Sequence, residues 1–172
     1  MVGLQEYISM PKCTILVGVP GSGKSTWLEN QEQLQLDDTW ISSTDDIIEN
    51  IAAWHNMTYD EAFKDLISFA EKAMWRDLKD FAEEGDYIYV DRTNLSAKSR
   101  RKFISFLKPY GYEFECVVFP MPGDDLLPAE EWNRRLDSRP GKTIPDHILT
   151  SMIDHYEIPL ESEGFSKITF IC

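Results

Sequence analysis

Residues 18–25 are the stretch of this sequence with the clearest chemical purpose. They read Gly-Val-Pro-Gly-Ser-Gly-Lys-Ser and match the pattern G-x-x-x-x-G-K-[ST] without a mismatch. In this pattern the glycines let successive backbone N–H groups turn inward around phosphate oxygens, the lysine reaches the β- and γ-phosphates, and the final hydroxyl is a ligand of Mg²⁺. The sequence therefore predicts a site for ATP and Mg²⁺, with Ser25 on the metal. The predicted phosphate-binding residues are Gly21, Ser22, Gly23, Lys24, Ser25 and Thr26.

The sequence on both sides of this loop supports the interpretation. A β-rich run at residues 14–17 comes directly before it, and a helical stretch follows it. A strand, then the loop, then a helix is the context of a phosphate-binding loop, and the positive end of the helix adds to the attraction for an anion. The alternative is a glycine-rich turn with an exposed lysine, which this context disfavours.

Two acidic residues follow other predicted strands. Asp45 comes after the run at 40–44, and Asp91 follows the run at 87–90. Because ligands of open parallel sheets bind beyond the carboxyl ends of the strands, we expect both carboxylates beside the loop. There a carboxylate can hold Mg²⁺ through water, orient an acceptor hydroxyl or accept its proton. We predict that Asp45 is a general base, with a helix N-cap as its alternative role, while a turn is the alternative for Asp91.

A third group of candidates is the pair Arg135 and Arg139. A helix is predicted at 130–138, and Arg139 lies at its end. Residues four apart share one face of a helix. Arginine forks fit phosphate oxygens, and phosphoryl transfer needs positive charge on the migrating group. The Pro140-Gly141 break suits a mobile lid at about 124–144. We predict that both arginines bind the donor phosphates and that Arg139 is catalytic, together with Lys24 and Asp45. A solvated helix whose arginines balance nearby acids is the alternative, and Arg134 could replace Arg135 as the inward residue.

The elements needed to position these residues alternate along the chain. The β-rich runs lie at 14–17, 40–43, 87–90, 114–119 and 167–172, and the helical patterns lie at 58–84, 96–108, 130–138 and from about 145. Such alternation predicts right-handed βαβ crossovers and a small, mostly parallel sheet covered by helices on both faces. The sequence shows no repeat or long linker, so we predict one α/β domain over residues 1–172.

Composition limits the class of protein. The chain has 172 residues, of which 42% are hydrophobic, and no run approaches the roughly 18 apolar residues of a membrane span. Residues 1–12 lack the features of a signal peptide, and the three cysteines are scattered without a CxxC pair. We therefore expect a cytoplasmic protein with reduced thiols and neither a zinc site nor a membrane partner.

Charge gives mixed indications about nucleic acid. A net charge of −13 opposes binding by bulk electrostatics. Basic residues are nevertheless concentrated at 92–108 and 134–142, where a polyanion could be held locally, although solvated helix faces are the simpler interpretation. The histidines lack metal-ligand spacing, and the tryptophans and phenylalanines are predicted to pack in the core and not to stack on bases.

Four motifs in their order resemble the kinase module of phage-type polynucleotide 5′-kinases. They are the loop with Thr26-Trp27, residues 43–46, residues 91–94, and Arg135-x-x-x-Arg139 leading to residues 142–145. The resemblance covers about residues 13–156 and implies a P-loop kinase fold with a helical lid. It also implies transfer of the ATP γ-phosphate to a hydroxyl of DNA or RNA. Asp45 then activates that hydroxyl, and Asp91, Arg92 and Asn94 belong to the acceptor side.

One position departs from that family's pattern. The family has an arginine three residues after the catalytic acid, where it grips the acceptor's phosphate, and this chain has Ile48. The acceptor therefore stays open. A 5′-OH polynucleotide end is the first candidate, and 5-hydroxymethyluracil in phage DNA, the substrate of kinases with a similar core, is the alternative. Two further alternatives are a kinase that acts on a small metabolite, and an ATPase or switch module that has no acceptor. The sequence does not indicate the oligomeric state, and a phage-encoded protein would act in the host cytoplasm.

Overall fold

A five-stranded parallel sheet forms the centre of the molecule. The structure, a computed structural model, describes residues 10–172. The strands are β1 (Lys12–Val17), β2 (Thr39–Ser42), β3 (Tyr87–Val90), β4 (Glu113–Val118) and β5 (Lys167–Phe170). Their order across the sheet is β2-β3-β1-β4-β5, and every described pairing is parallel. The predicted α/β fold with a parallel sheet is confirmed.

Helices cover both faces of this sheet. They are α1 (Lys24–Glu29), α2 (Thr44–Trp54), α3 (Tyr59–Glu84), α4 (Ala97–Leu107), α5 (Ala129–Asp137) and α6 (Asp146–Asp154). Successive residues of β1 point to opposite faces, and Ile15, Leu16 and Val17 are all fully buried. A strand buried on both sides is typical of the centre of a parallel sheet and explains the unbroken apolar run.

The long helix α3 has both predicted end signals. The Thr58 hydroxyl accepts a hydrogen bond from the Glu61 backbone N–H, and the Glu61 carboxylate accepts one from the backbone N–H of Thr58, which completes a capping box. Gly85 ends the helix with φ = 81°, a conformation that favours glycine. This helix packs along α2 and carries one wall of the site described below.

The N-terminal cap of α2 differs from the sequence-based alternative. Ser43, and not Asp45, accepts the hydrogen bond from the Asp46 backbone N–H, at 3.2 Å. Asp45 therefore lies in the first turn of the helix and its carboxylate is available for other contacts.

Two expectations about side chains are wrong. Arg100 belongs to the basic run at 92–108, but it is 0% exposed and pairs with Glu163 at 2.7 Å, so it cannot contribute to a polyanion groove. Core packing is also wrong for Trp54 and for three phenylalanines, because Trp54, Phe63, Phe69 and Phe170 are 88%, 38%, 54% and 53% exposed. Residues 1–9, on which most of the signal-peptide expectation depends, lie outside the described part of the chain. Among the described helices, none combines the length and the apolar character needed to cross a membrane.

Candidate active site

The phosphate-binding loop connects β1 to α1, as predicted. Gly21 and Gly23 have φ values of 79° and 102°, which L-residues with side chains rarely adopt. A Cβ on Gly18 would lie 2.6 Å from the Ser22 hydroxyl and 2.9 Å from the Phe119 Cβ. The glycines of the motif are therefore required by the backbone geometry and by close packing under the loop.

Lys24 lies over the loop it belongs to. Its ammonium donates hydrogen bonds to the carbonyl oxygens of Gly18 and Val19, at 2.9 and 3.0 Å. Burial lowers its pKa to about 8, although the nearby charges of Asp91 and Asp45 act in the opposite direction. The three groups are thus close enough to form one electrostatic unit at the carboxyl edge of the sheet.

Unpaired donors beside the loop indicate that the residues fit a triphosphate. The Ser22 Oγ and the Arg139 Nη1 are buried and have no hydrogen-bond partner among residues 10–172. Buried donors without partners are costly in a finished fold, and phosphate oxygens would satisfy both. Within the described residues no group of three His, Cys, Asp or Glu could hold a metal ion. Mg²⁺ would therefore depend on Ser25, which lines the same cleft, together with nucleotide oxygens and water.

Asp45 is the centre of a second set of contacts. Its Oδ1 accepts a hydrogen bond from the Tyr59 hydroxyl at 2.8 Å, and its Oδ2 accepts one from the Lys142 ammonium at 2.7 Å. Lys142 also donates to Glu49 at 2.7 Å and lies 4.1 Å from the centre of the Tyr59 ring. Burial raises the pKa of Asp45, but these two donors and the charge of Lys142 outweigh it, so that the pKa lies below its usual range.

Asp91 lies close enough to both sets for its charge to interact with Lys24, Asp45 and Lys142. Burial raises the pKa of its carboxyl to about 6, and the charge of Lys24 only partly offsets this. Arg92, which also lines the cleft, pairs with Glu71 of α3 at 3.2 Å. The structure therefore brings Asp91 and Arg92 to the same cleft as Lys24 and Asp45.

Asn94 does not reach the cleft. It is 3% exposed, has φ = 47°, and its amide donates a 2.8 Å hydrogen bond to the carbonyl oxygen of Leu16. The side chain is used to join the turn after β3 to the central strand, so the predicted contact with substrate is not supported. The turn considered as an alternative is the better description of this residue.

The helix α5 covers the phosphate-binding loop. The Trp132 indole N–H donates to the Pro20 carbonyl at 2.7 Å, and the Arg135 guanidinium donates to the Gly21 carbonyl at 3.3 Å. Both Arg134 and Arg135 also pair with Glu131 at 2.7 Å, but Arg134 is exposed and makes no hydrogen bond to the loop. The inward residue of the predicted lid is therefore Arg135.

The segment after α5 continues across the cleft to α3. The Asp60 backbone N–H donates to the Gly141 carbonyl at 3.0 Å, and the Asp60 carboxylate accepts two hydrogen bonds from the Thr143 backbone N–H, at 2.9 and 3.0 Å. These contacts hold Lys142 over Asp45. Sequence reasoning missed Tyr59, Asp60, Trp132 and Lys142, although Lys142 lay within the recognised lid motif.

Apart from Asn94, the predicted site residues line one large cleft, and so do Tyr59 and Lys142. Its volume is about 1620 Å³, which exceeds the 300–1,000 Å³ typical of a site for one small molecule. Lys24, the lid arginines, Asp45 and the first turns of α3 all line this cleft. The arrangement can therefore hold a triphosphate and a second molecule together.

Most of the chain matches the model of a known protein family. The model of the AAA domain family AAA_33 matches residues 14–159. The chain belongs to this AAA domain family. It is 26% identical over 159 residues to transcription factor bHLH140 of Arabidopsis thaliana, covering 91% of this chain and 15% of that protein. The chain thus spans only a small part of the length of that plant protein.

Solved structures agree on the fold of this AAA domain. A protein of Chloroflexus aurantiacus aligns with a TM-score of 0.66 at 14% identity, covering 95% of this chain and 86% of that one. A chain of the Pnkp1/Rnl/Hen1 RNA repair complex gives 0.61 at 24% identity, covering 90% and 46%. A fungal RNA kinase gives 0.54 at 13% identity, covering 95% and 76%. The AAA domain described here therefore has a P-loop kinase-like fold.

Proposed function

We propose that this protein is an ATP-dependent kinase that transfers the γ-phosphate to a hydroxyl of a nucleic acid, with a 5′-OH end as the first acceptor. The observation that carries the proposal is the position of Asp45. Its carboxylate lines the same cleft as Lys24, close enough for the two charges to interact, and its hydrogen bonds go to Tyr59 and Lys142 and not to the phosphate-binding loop. A carboxylate held in this way can orient an acceptor hydroxyl and take its proton.

The residues of the donor side have separate tasks. ATP with Mg²⁺ supplies the phosphoryl group and neutralises charge on its oxygens. The loop N–H groups and Lys24 bind and orient the phosphates, while Arg135 and Arg139 bring positive charge from the lid. The unpaired Nη1 of Arg139 is the donor best suited to a transferred oxygen, because no other group competes for it among the described residues.

Asp45 acts on the acceptor side. Its lowered pKa keeps the carboxylate ionised at neutral pH, so it can accept a hydrogen bond and then the proton of the incoming hydroxyl. Tyr59 and Lys142 each use one lone pair of different oxygens, and a carboxylate has about four such sites. The remaining sites are sufficient to orient an alcohol while the two donors fix the carboxylate plane.

The choice of nucleic acid follows from the motif order and from the relatives. The four motifs resemble phage-type polynucleotide kinases, and the structural neighbours include a fungal RNA kinase and an RNA repair complex. Ile48 is 0% exposed and packs between α2 and α3. The acceptor phosphate therefore has no arginine at this position, and the acceptor must be recognised by other residues.

An acceptor screen tests the proposal. The protein is incubated with γ-labelled ATP and one acceptor at a time: a 5′-OH oligonucleotide, the same strand with a 5′-phosphate, DNA with 5-hydroxymethyluracil, a nucleoside and a sugar alcohol. We expect label on the 5′-OH strand, none on its 5′-phosphate control, and none with the Lys24→Ala variant. Label on the modified base alone would transfer the assignment to that alternative. Label on the sugar alcohol alone would refute a nucleic-acid acceptor.

A further inference from the structure

The acceptor side of the cleft carries an aromatic surface that the phosphate chemistry does not use. The stripe Tyr59, Phe63 and Ile67 repeats every four residues along α3 and lines the cleft. The rings of Tyr59 and Phe63 lie 5.5 Å apart with an angle of 35° between their planes. Phe63 is 38% exposed, so its ring is open to a bound molecule. We call these three residues the α3 shelf.

The α3 shelf begins at the proposed general base. The Tyr59 hydroxyl donates to Asp45, so the first ring of the shelf lies in contact with the carboxylate. Phe63 follows one helical turn later, at a rise of about 6 Å, and Ile67 follows after about 12 Å. A molecule whose hydroxyl reaches Asp45 must therefore extend its body either along the shelf or away from the helix.

The chemistry of the shelf selects among acceptors. An aromatic side chain such as Phe63 can stack against the planar face of a nucleobase, whereas an acyclic polyol has no planar face to place on it. Lys64 is exposed on the same wall and has no ion-pair partner among residues 10–172, so it supplies a cation where the next phosphate would pass. Both features fit a nucleotide better than a neutral ring or a polyol.

We propose that the α3 shelf binds the terminal base of a single-stranded acceptor, with Phe63 as the stacking residue. This inference rests on the proposed function and specifies how the acceptor is recognised. In the resembling family an arginine at the position of Ile48 grips the acceptor. Ile48 is buried in the core and cannot do this, so the α3 shelf holds the acceptor here. Recognition then depends mainly on the base and only weakly on its 3′ phosphate.

The test pairs a change in the protein with a change in the substrate. Wild-type protein and the Phe63→Ala variant are each given two 5′-OH oligonucleotides, one with an intact terminal base and one whose first residue is abasic. Stacking of one base contributes about 1–3 kcal/mol, so we expect the wild type to prefer the intact end in kcat/KM by roughly five- to 150-fold. In Phe63→Ala this preference should fall to near unity, since the two changes remove the same contact.

Two further variants make the result specific. Phe69→Ala is the matched control, because Phe69 lies on the same helix, is 54% exposed and is absent from the cleft wall. Phe69→Ala should keep the wild-type preference for the intact base. Phe63→Trp should also show this preference, because it keeps an aromatic ring at position 63. Affinity for ATP should be unchanged in all three variants.

The outcomes separate the two proposals. If wild-type protein labels 5′-OH ends but the preference for the intact base is absent, or is the same in Phe63→Ala, the shelf assignment is overturned and the proposed function stands. If no 5′-OH end is labelled, the proposed function fails, and fluorescence anisotropy of the same two oligonucleotides then decides the shelf. Equal binding of both strands, or no binding, would overturn it, while Phe63-dependent preference for the intact strand would support it.

Discussion

Removal of the Arg100 side chain should destabilise the fold without affecting the cleft directly. The guanidinium is fully buried, makes two hydrogen bonds to the Glu163 carboxylate at 2.7 and 2.8 Å, and donates to the carbonyl oxygens of Asn94 and Leu95 at 3.0 and 3.1 Å. An Arg100→Met variant would leave the nearly buried Glu163 carboxylate without its ion-pair partner and the Asn94 carbonyl without this donor, while the Leu95 carbonyl would keep the Glu157 N–H at 2.8 Å. These four hydrogen bonds connect the turn after β3 to the C-terminal part of the chain.

The expected size of this effect follows from the burial of the pair. The loss of one partner of a buried ion pair costs about 3–5 kcal/mol of unfolding free energy. For a chain of this length that corresponds to a fall in Tm of roughly 6–20 °C. Urea titration gives the free energy and a thermal melt gives the Tm. Arg101→Met, an exposed neighbour on the same helix, should stay within about 0.5 kcal/mol of wild type.

The pH dependence of the same variant gives a second check. Burial raises the pKa of Glu163, but the hydrogen bonds and charge of Arg100 and the Leu160 N–H outweigh it and lower the pKa below its usual value. A lowered pKa contributes stability above the unfolded-state value, and that contribution disappears as the pH falls through the folded-state value. The gap between wild type and Arg100→Met should therefore be largest near neutral pH and narrow in acid. Equal stability of Arg100→Met and Arg101→Met at pH 7 would refute this account.

Two further predictions concern the cleft. Because the pKa of Lys24 is about 8 in the free protein and phosphate binding favours the ammonium, ATP affinity should fall as pH rises above 8, by up to about tenfold per unit. Isothermal titration from pH 7 to 9.5 tests this, and Lys24→Arg should show a flat profile; a flat wild-type profile would contradict it. In Gly141→Ala, the new Cβ would lie 2.9 Å from the Thr58 Cβ at φ = 68°, so Lys142 should be displaced from Asp45 and the Tm should fall by a few degrees, at about 1–3 kcal/mol for strain. Phosphoryl transfer should fall with it, and an unchanged transfer rate would exclude Lys142 from positioning the carboxylate.

Local signals made much of the molecule predictable. The loop motif and the capping box at Thr58 are short-range patterns with a direct physical meaning, and the structure has both where the sequence indicated. The parallel sheet followed from strands alternating with helices, and it brought Asp45 and Asp91 to the edge that carries Lys24. These inferences needed only backbone geometry and the rule for ligand position in such sheets.

Contacts between distant segments were not predictable from one sequence. Lys142 is 97 residues from Asp45, and Arg100 is 63 residues from Glu163. Each basic residue looked like part of a solvated or polyanion-binding cluster until tertiary packing supplied its partner. Asn94 failed for a related reason: its type suited both a substrate contact and a turn, and only the buried hydrogen bond to Leu16 distinguishes the two.

The most direct test of the kinase proposal compares wild-type protein with the Asp45→Asn variant. Both are assayed for ATP binding by calorimetry and for transfer of labelled γ-phosphate to a 5′-OH oligonucleotide. The account predicts that Asp45→Asn binds ATP about as tightly as the wild type. Its rate of transfer should be lower by a factor on the order of 10² to 10⁴. Transfer by Asp45→Asn at the wild-type rate would contradict the role of the carboxylate.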